Sequence, residues 1–119
     1  MTKAWAFTDL IGGPDDPAVT VRARLEMLSN EAGGRSTALF GKYRPNHNFG
    51  DAENRTMYVG QIEIPKAEPI APGSVREVDV LFIGAPGLRE LLVPGRRWRI
   101  QEGPKLVAFA EVIEVLAEA

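Results

Sequence analysis

Cysteine is absent from this 119-residue chain. That excludes a disulfide framework, a thiolate zinc site and a cysteine nucleophile together, and it fits a reducing compartment. Histidine occurs once, as His47. A histidine metal cluster is therefore out of reach, and a Ser-His-Asp triad would have to pair that ring with a distant serine such as Ser36. Long apolar runs are missing too. The N-terminus, Met1-Thr2-Lys3-Ala4-Trp5-Ala6-Phe7, is cut by Asp9 and Gly12-Gly13-Pro14, which leaves no stretch of signal-peptide length. No later run approaches the roughly 20 apolar residues of a spanning helix. The expectation is a cytoplasmic protein without a membrane partner. Charge of one sign is not in excess either. A net charge of −2 gives no global attraction to a phosphate backbone, so nucleic-acid binding would need a local basic patch.

What the chain does have is the composition of one globular domain. Hydrophobic residues at 45% and charged residues at 25% can build a core at this length without metal or disulfide staples. Twelve glycines and nine prolines separate short stretches rich in Val, Ile and aromatics, the punctuation of an all-β protein. Val19 to Leu28 alternates small or apolar residues with charged ones, as a strand with one wet face does. Further strands are expected over Arg35 to Phe40, Met57 to Ile64, Val75 to Phe82, Arg96 to Gln101 and about Leu106 to Val115. Leu88 to Leu92 is long enough for one helical turn only. Six strands with short connections predict an antiparallel barrel, because closure removes exposed edges. Residues 1–18 read as an N-terminal arm that packs Trp5 and Phe7 on a barrel spanning 19–119.

The turns and the strand order carry a resemblance. Glu31-Ala32-Gly33-Gly34-Arg35-Ser36-Thr37, then Phe40 and Tyr43-Arg44-Pro45, resemble the E-x-G-G-R-x-T, F, Y-R-P signature of the C-terminal, third domain of elongation factor Tu. Val59-Gly60-Gln61-Ile62-Glu63-Ile64-Pro65, Pro72-Gly73, Leu81-Phe82-Ile83-Gly84-Ala85-Pro86 and the run Gly95 to Gly103 resemble later family motifs in the same order. The similarity covers about Val19 to Leu116 and implies a six-stranded antiparallel Greek-key β-barrel. The chain has no G-x-x-x-x-G-K-[ST] loop, so no nucleotide cofactor and no GTP hydrolysis are expected. No metal or other cofactor is implied.

In that family the third domain touches the T stem of tRNA, packs on the GTPase domain and helps bind the nucleotide-exchange factor. The resemblance places Arg35 at the family's tRNA-contacting arginine, although the histidine that follows there is Ser36 here. Lys105 keeps a positive charge in the turn that approaches the T stem, while Pro104 removes one of that turn's amides. Strand alternation puts Trp98 inside and Arg97 and Arg99 outside, so Arg35, Arg97, Arg99 and Lys105 are the RNA-binding candidates if they share a face. Otherwise these arginines are a solvated strand face paired with acids such as Glu102. Tyr43 and Arg44 are the candidates for a protein interface, set against a turn whose Tyr packs and whose Arg ties down a neighbour. His47 is expected to be packed or solvent-facing rather than catalytic, and no catalytic residue is assigned. The expected function is a non-catalytic protein-binding module that regulates or mimics the translation factor. The alternatives are a tRNA- or RNA-binding module and a structural homo-oligomer.

Overall fold

The computed structural model describes residues 16–118. The expected arm, with Trp5 and Phe7, lies almost wholly outside the described residues. Each long strand obeys the two-residue period. In β1 (Val19–Met27), Val21, Ala23 and Leu25 point into the core while Arg22 and Arg24 point out. Strand β4 (Tyr58–Ile64) and strand β5 (Val75–Phe82) alternate in the same way, followed by the four-residue helix α1 (Leu88–Leu91). Strands β6 (Arg97–Glu102) and β7 (Lys105–Glu118) form a hairpin. Gly103, at φ 59, takes the first central position of its two-residue turn, which is the glycine-first arrangement of a II′ hairpin turn.

The barrel closes through the antiparallel order β1, β5, β4, β3, β6, β7 and back to β1, where β3 is Asn46–Asn48. Strands β3, β4 and β5 follow one another as neighbours, and β1 lies beside β5, the Greek-key arrangement. The seventh strand, β2 (Gly41–Tyr43), pairs with β4 in line with β3. It is the extra strand beside a closed six-stranded barrel.

The second sequence segment departs from its expected place. Arg35 to Phe40 is not a strand: only Leu39 bridges, to Ile70, and the ladder starts at Gly41. Local hydrogen bonds from the Arg35 guanidinium to the Thr37 carbonyl (3.3 Å) and hydroxyl (3.0 Å) hold a turn there, and Gly41, at φ 75, redirects the chain. The strand that follows is broken between β2 and β3 at Arg44-Pro45, because Pro45 has no N–H to give a ladder. The strand expected over Arg35 to Phe40 is thus replaced by two short ones that begin only after it.

The interior is filled by rings. Phe49 stacks on Trp98 at 5.1 Å between centroids, and Phe82 and His47 meet edge-on at 4.9 Å. His47 is fully buried, which resolves the packed-or-exposed alternative. Its Nδ1 accepts the Trp98 indole N–H (3.0 Å), so its Nε2 carries the proton and donates to the Gly60 carbonyl (3.2 Å). Both ring nitrogens are satisfied, and burial lowers the imidazole pKa to about 4 against the favourable carbonyl contact. Gly60 is what admits this ring: a Cβ there would stand 2.9 Å from His47 Nε2 and 3.1 Å from Phe82.

Candidate functional site

Where β2 leaves the line of β3, it diverges from the β6–β7 hairpin, and polar side chains fill the opening. Glu102 is at their centre. The Tyr43 hydroxyl donates to its Oε2 at 2.5 Å, and the Arg35 guanidinium forms an ion pair and hydrogen bond with the same oxygen. Arg35 also lies over the Tyr43 ring, 5.7 Å from its centroid. Partial burial works to raise the Glu102 carboxyl, but the Tyr43 hydrogen bond, Arg35 and the charge of Lys105 together hold it below the usual carboxylate range. Tyr43 responds in the opposite direction. Burial and the carboxylate at its hydroxyl push its pKa well above that of a free phenol. The cluster therefore keeps a carboxylate, a guanidinium and a neutral phenol in mutual contact at one end of the barrel, with Arg35 and Glu102 still partly open to water.

This arrangement divides the candidate residues. Arg35, Lys105 and Tyr43 meet around Glu102. Arg44, exposed just past the end of β2, donates to the Gln61 side chain at 2.8 Å. Arg97 and Arg99 are elsewhere, on the outside of β6, with their guanidinium carbons 5.1 and 6.0 Å from the Phe109 ring centroid. Arg97 contacts Glu26 at 3.5 Å and Arg99 donates to Gln101 at 3.2 Å. Glu102, named from sequence as a partner for the strand arginines, serves Arg35 instead. Arg97 is also opposite Glu111 in the ladder, so acids alternate with the arginines of this face.

Two features escaped the sequence reading. The segment from Phe49 to Met57 folds back over β3 and β6. Asn48 accepts from the Gly50 amide (2.8 Å) and the Asn54 side chain (2.7 Å), and donates to Gln101 (2.7 Å). This fastening buries Asn48 and Gln101 on what would be the wet side of their strands. A run of three asparagines within nine residues was the available signal, since Asn side chains cap turns by bonding nearby backbone. The second feature is Phe40. At 62% exposure it is, among the described residues, the one aromatic ring that stands mainly in solvent.

The open clefts are shallow and of mixed charge. The larger, about 490 Å³, opens where β4 and β5 part and is bordered by Arg22, Glu63, Arg76 and Asp79. Another, about 400 Å³, lies between the folded-back segment and the β6–β7 turn, beside Asn46, Arg55 and Gln101. Among the described residues no buried side-chain nitrogen or oxygen lacks a hydrogen-bond partner, and no three acidic or histidine side chains gather to hold a metal ion. No described helix is long and apolar enough to cross a membrane.

No protein-family model matches the chain. Its chemistry has to be argued from this surface. The end of the barrel offers an exposed ring at Phe40, an edge strand whose one described ladder is to β4, and the cations Lys42 and Arg44 beside it. Those are the components of an interface: an apolar anchor, a backbone edge and polar groups at the rim.

Proposed function

We infer that this barrel is a protein-binding module that docks through the β2 end, with Phe40 as its anchor and Tyr43 and Arg44 at the rim. The carrying observation is the solvent-facing Phe40 ring at the entry to an edge strand. Isolated exposed aliphatics are ordinary on protein surfaces, but a large ring mainly in solvent loses much of the hydrophobic stabilisation that burial would give. Aromatic anchors set in a polar rim dominate interface energetics. The Arg35–Tyr43–Glu102 cluster supports the same reading, because it holds β2 in place without closing its outer edge. The resemblance to the third domain of elongation factor Tu supplies the class of partner: the translation factor's GTPase domain or its nucleotide-exchange factor, which this chain would engage as a mimic or regulator.

The test is a titration of the purified chain against those two proteins. Saturable binding to either, weakened tenfold or more by Phe40→Ala and less by Arg44→Ala, is the expected result. Absence of binding to both, or binding indifferent to Phe40, would overturn it. A second reading rests on Arg97 and Arg99 flanking Phe109, an aromatic platform between guanidinium groups on which single-stranded RNA bases can stack. It calls for salt-sensitive tRNA binding lost on Arg97→Ala with Arg99→Ala. Self-association through the β2 edge would instead appear as a mass that grows with concentration.

A further inference from the structure

The opposite end of the barrel carries a second unfilled surface. Strand β6 accompanies β7 as far as Glu111, and the Gly95 amide and Arg96 carbonyl continue the pairing to Val112. From there to Glu118, the one ladder described for β7 is to β1. The β1–β7 register slips twice in this stretch. Thr20 faces Ala117 but Val21 faces Val115, and Arg22 faces Glu114 but Ala23 faces Val112. Leu116 and Ile113 are therefore the extra residues of two β-bulges. Bulged residues leave the ladder and are re-aimed. Sheet edges commonly use bulges together with charges or proline to discourage further pairing. Here the re-aimed side chains are branched aliphatics, 38% and 37% exposed, and Val93, at 47%, stands on the turn that Gly95 ties to Val112. All three lie on or beside the unpaired part of β7, and we take them together as an apolar ridge.

The path of the chain indicates what covers that ridge. Asp16 and Pro17 cross the β5–α1 connection at Gly84, where a Cβ would come within 1.8 Å of the Asp16 carbonyl oxygen. Three residues later Val19 pairs with Glu118. The segment 1–15 thus joins the described structure at the ridge's own end of β7. Leu116 is two residues from Glu118, about 7 Å along the strand. Trp5 is eleven residues before Asp16, a tether of up to roughly 36 Å. In an extended stretch Trp5 and Phe7 face the same way, and since the acids beside the ridge are already engaged, Glu114 by Arg22 and Glu118 by Arg89, the contact rests on the two rings.

We propose that the N-terminal segment seats Trp5 and Phe7 on the ridge of Val93, Ile113 and Leu116, covering the free length of β7. The contact is independent of the β2 end. It is tested by fluorine NMR of the full chain labelled with fluorotryptophan, whose two signals are assigned with Trp5→Phe. The Trp5 signal is expected away from its position in the urea-unfolded chain. In Ile113→Ser with Leu116→Ser it should return to that position while the buried Trp98 signal stays put, which shows that the barrel is still folded. A Trp5 signal already at the unfolded position in the parent would overturn the proposal. So would one that ignores the double substitution, or one that moves on dilution, since that would make a second copy the occupant.

Discussion

Two of the barrel's hydrogen-bonded polar clusters are built from similar numbers of groups, and they do different work. At the centre, His47 lies between the Trp98 indole and the Gly60 carbonyl, fully buried and uncharged. At the β2 end, Glu102 lies between Tyr43 and Arg35, charged and partly in water. Deep burial turns each contact of the first cluster into an obligation, because an unpaired or charged group there has no water to turn to. Exposure makes the second cheap to alter and leaves it reachable by a partner. The contrast separates what holds the fold from what the fold can offer to another molecule.

The sharpest way to break the comparison is at Gly60. Gly60→Ala drives a methyl into His47 and Phe82, and overpacking of this kind costs about 1–3 kcal/mol, with more when backbone has to move. Urea denaturation followed by circular dichroism should show that loss. Wild-type stability would mean that the centre yields more easily than its packing implies.

Acid comes next. An imidazole with a folded pKa of about 4 against an unfolded 6.5 binds its proton mainly in the unfolded chain between those values. Its contribution to stability is complete above about pH 6.5 and falls as pH drops toward 4. The loss approaches about 1.4 kcal/mol per pH unit within the window, or about 3 kcal/mol in all. His47→Gln, which cannot titrate, should flatten that slope even if it lowers stability at neutral pH. Denaturation midpoints across the window for both proteins give the answer. Glu102 acts lower down. Its depressed carboxyl contributes stability above the ordinary carboxylate range, and that share fades only as pH falls through its folded value, so the two clusters separate along the pH axis.

The two clusters also differ in how well sequence announces them. Alternation located Val75–Phe82 to the residue, and the closed barrel followed from strand count and spacing, because hydrophobic periodicity is a local signal. Trp98 was legible as core for the same reason. The partners of Glu102 were not, since it is 67 residues from Arg35 and 59 from Tyr43, and only the divergence of β2 from the hairpin brings them together. Arg35–Phe40 was misread as a strand because its β-compatible residues are held in a turn by their own side chains. Phe40 gave no warning either. An aromatic beside a strand ordinarily packs, and it is the positive φ of Gly41, legible only in the structure, that redirects the chain beside it.

A smaller effect sharpens the comparison from the other side. Tyr43→Phe removes one hydrogen bond to a carboxylate that keeps Arg35 and water, so the cost should be about 1 kcal/mol. The same deletion at the centre, Trp98→Phe, leaves His47 Nδ1 without a donor in a dry interior and should cost about 1–3 kcal/mol from that orphaned group alone, besides the volume lost. Equal costs for the two would dissolve the distinction between them.

Smallest of all should be the outer arginines. Arg97 and Glu26 are 3.5 Å apart with side chains 49% and 31% exposed, and pairs of this kind contribute about 0–1 kcal/mol. Arg97→Ala should therefore leave the denaturation midpoint almost unchanged, apart from what its stem and guanidinium gain by covering the Phe109 ring. That near-silence is what makes the variant informative for function. A change in tRNA affinity caused by Arg97→Ala could not be ascribed to unfolding, and would favour the RNA reading of the β6–β7 face over docking at the β2 end. Phe40→Ala is its counterpart, since a side chain mainly in solvent can be truncated at little cost to the fold. The pair of variants, each nearly neutral in stability, assigns any binding that is found to one face or the other.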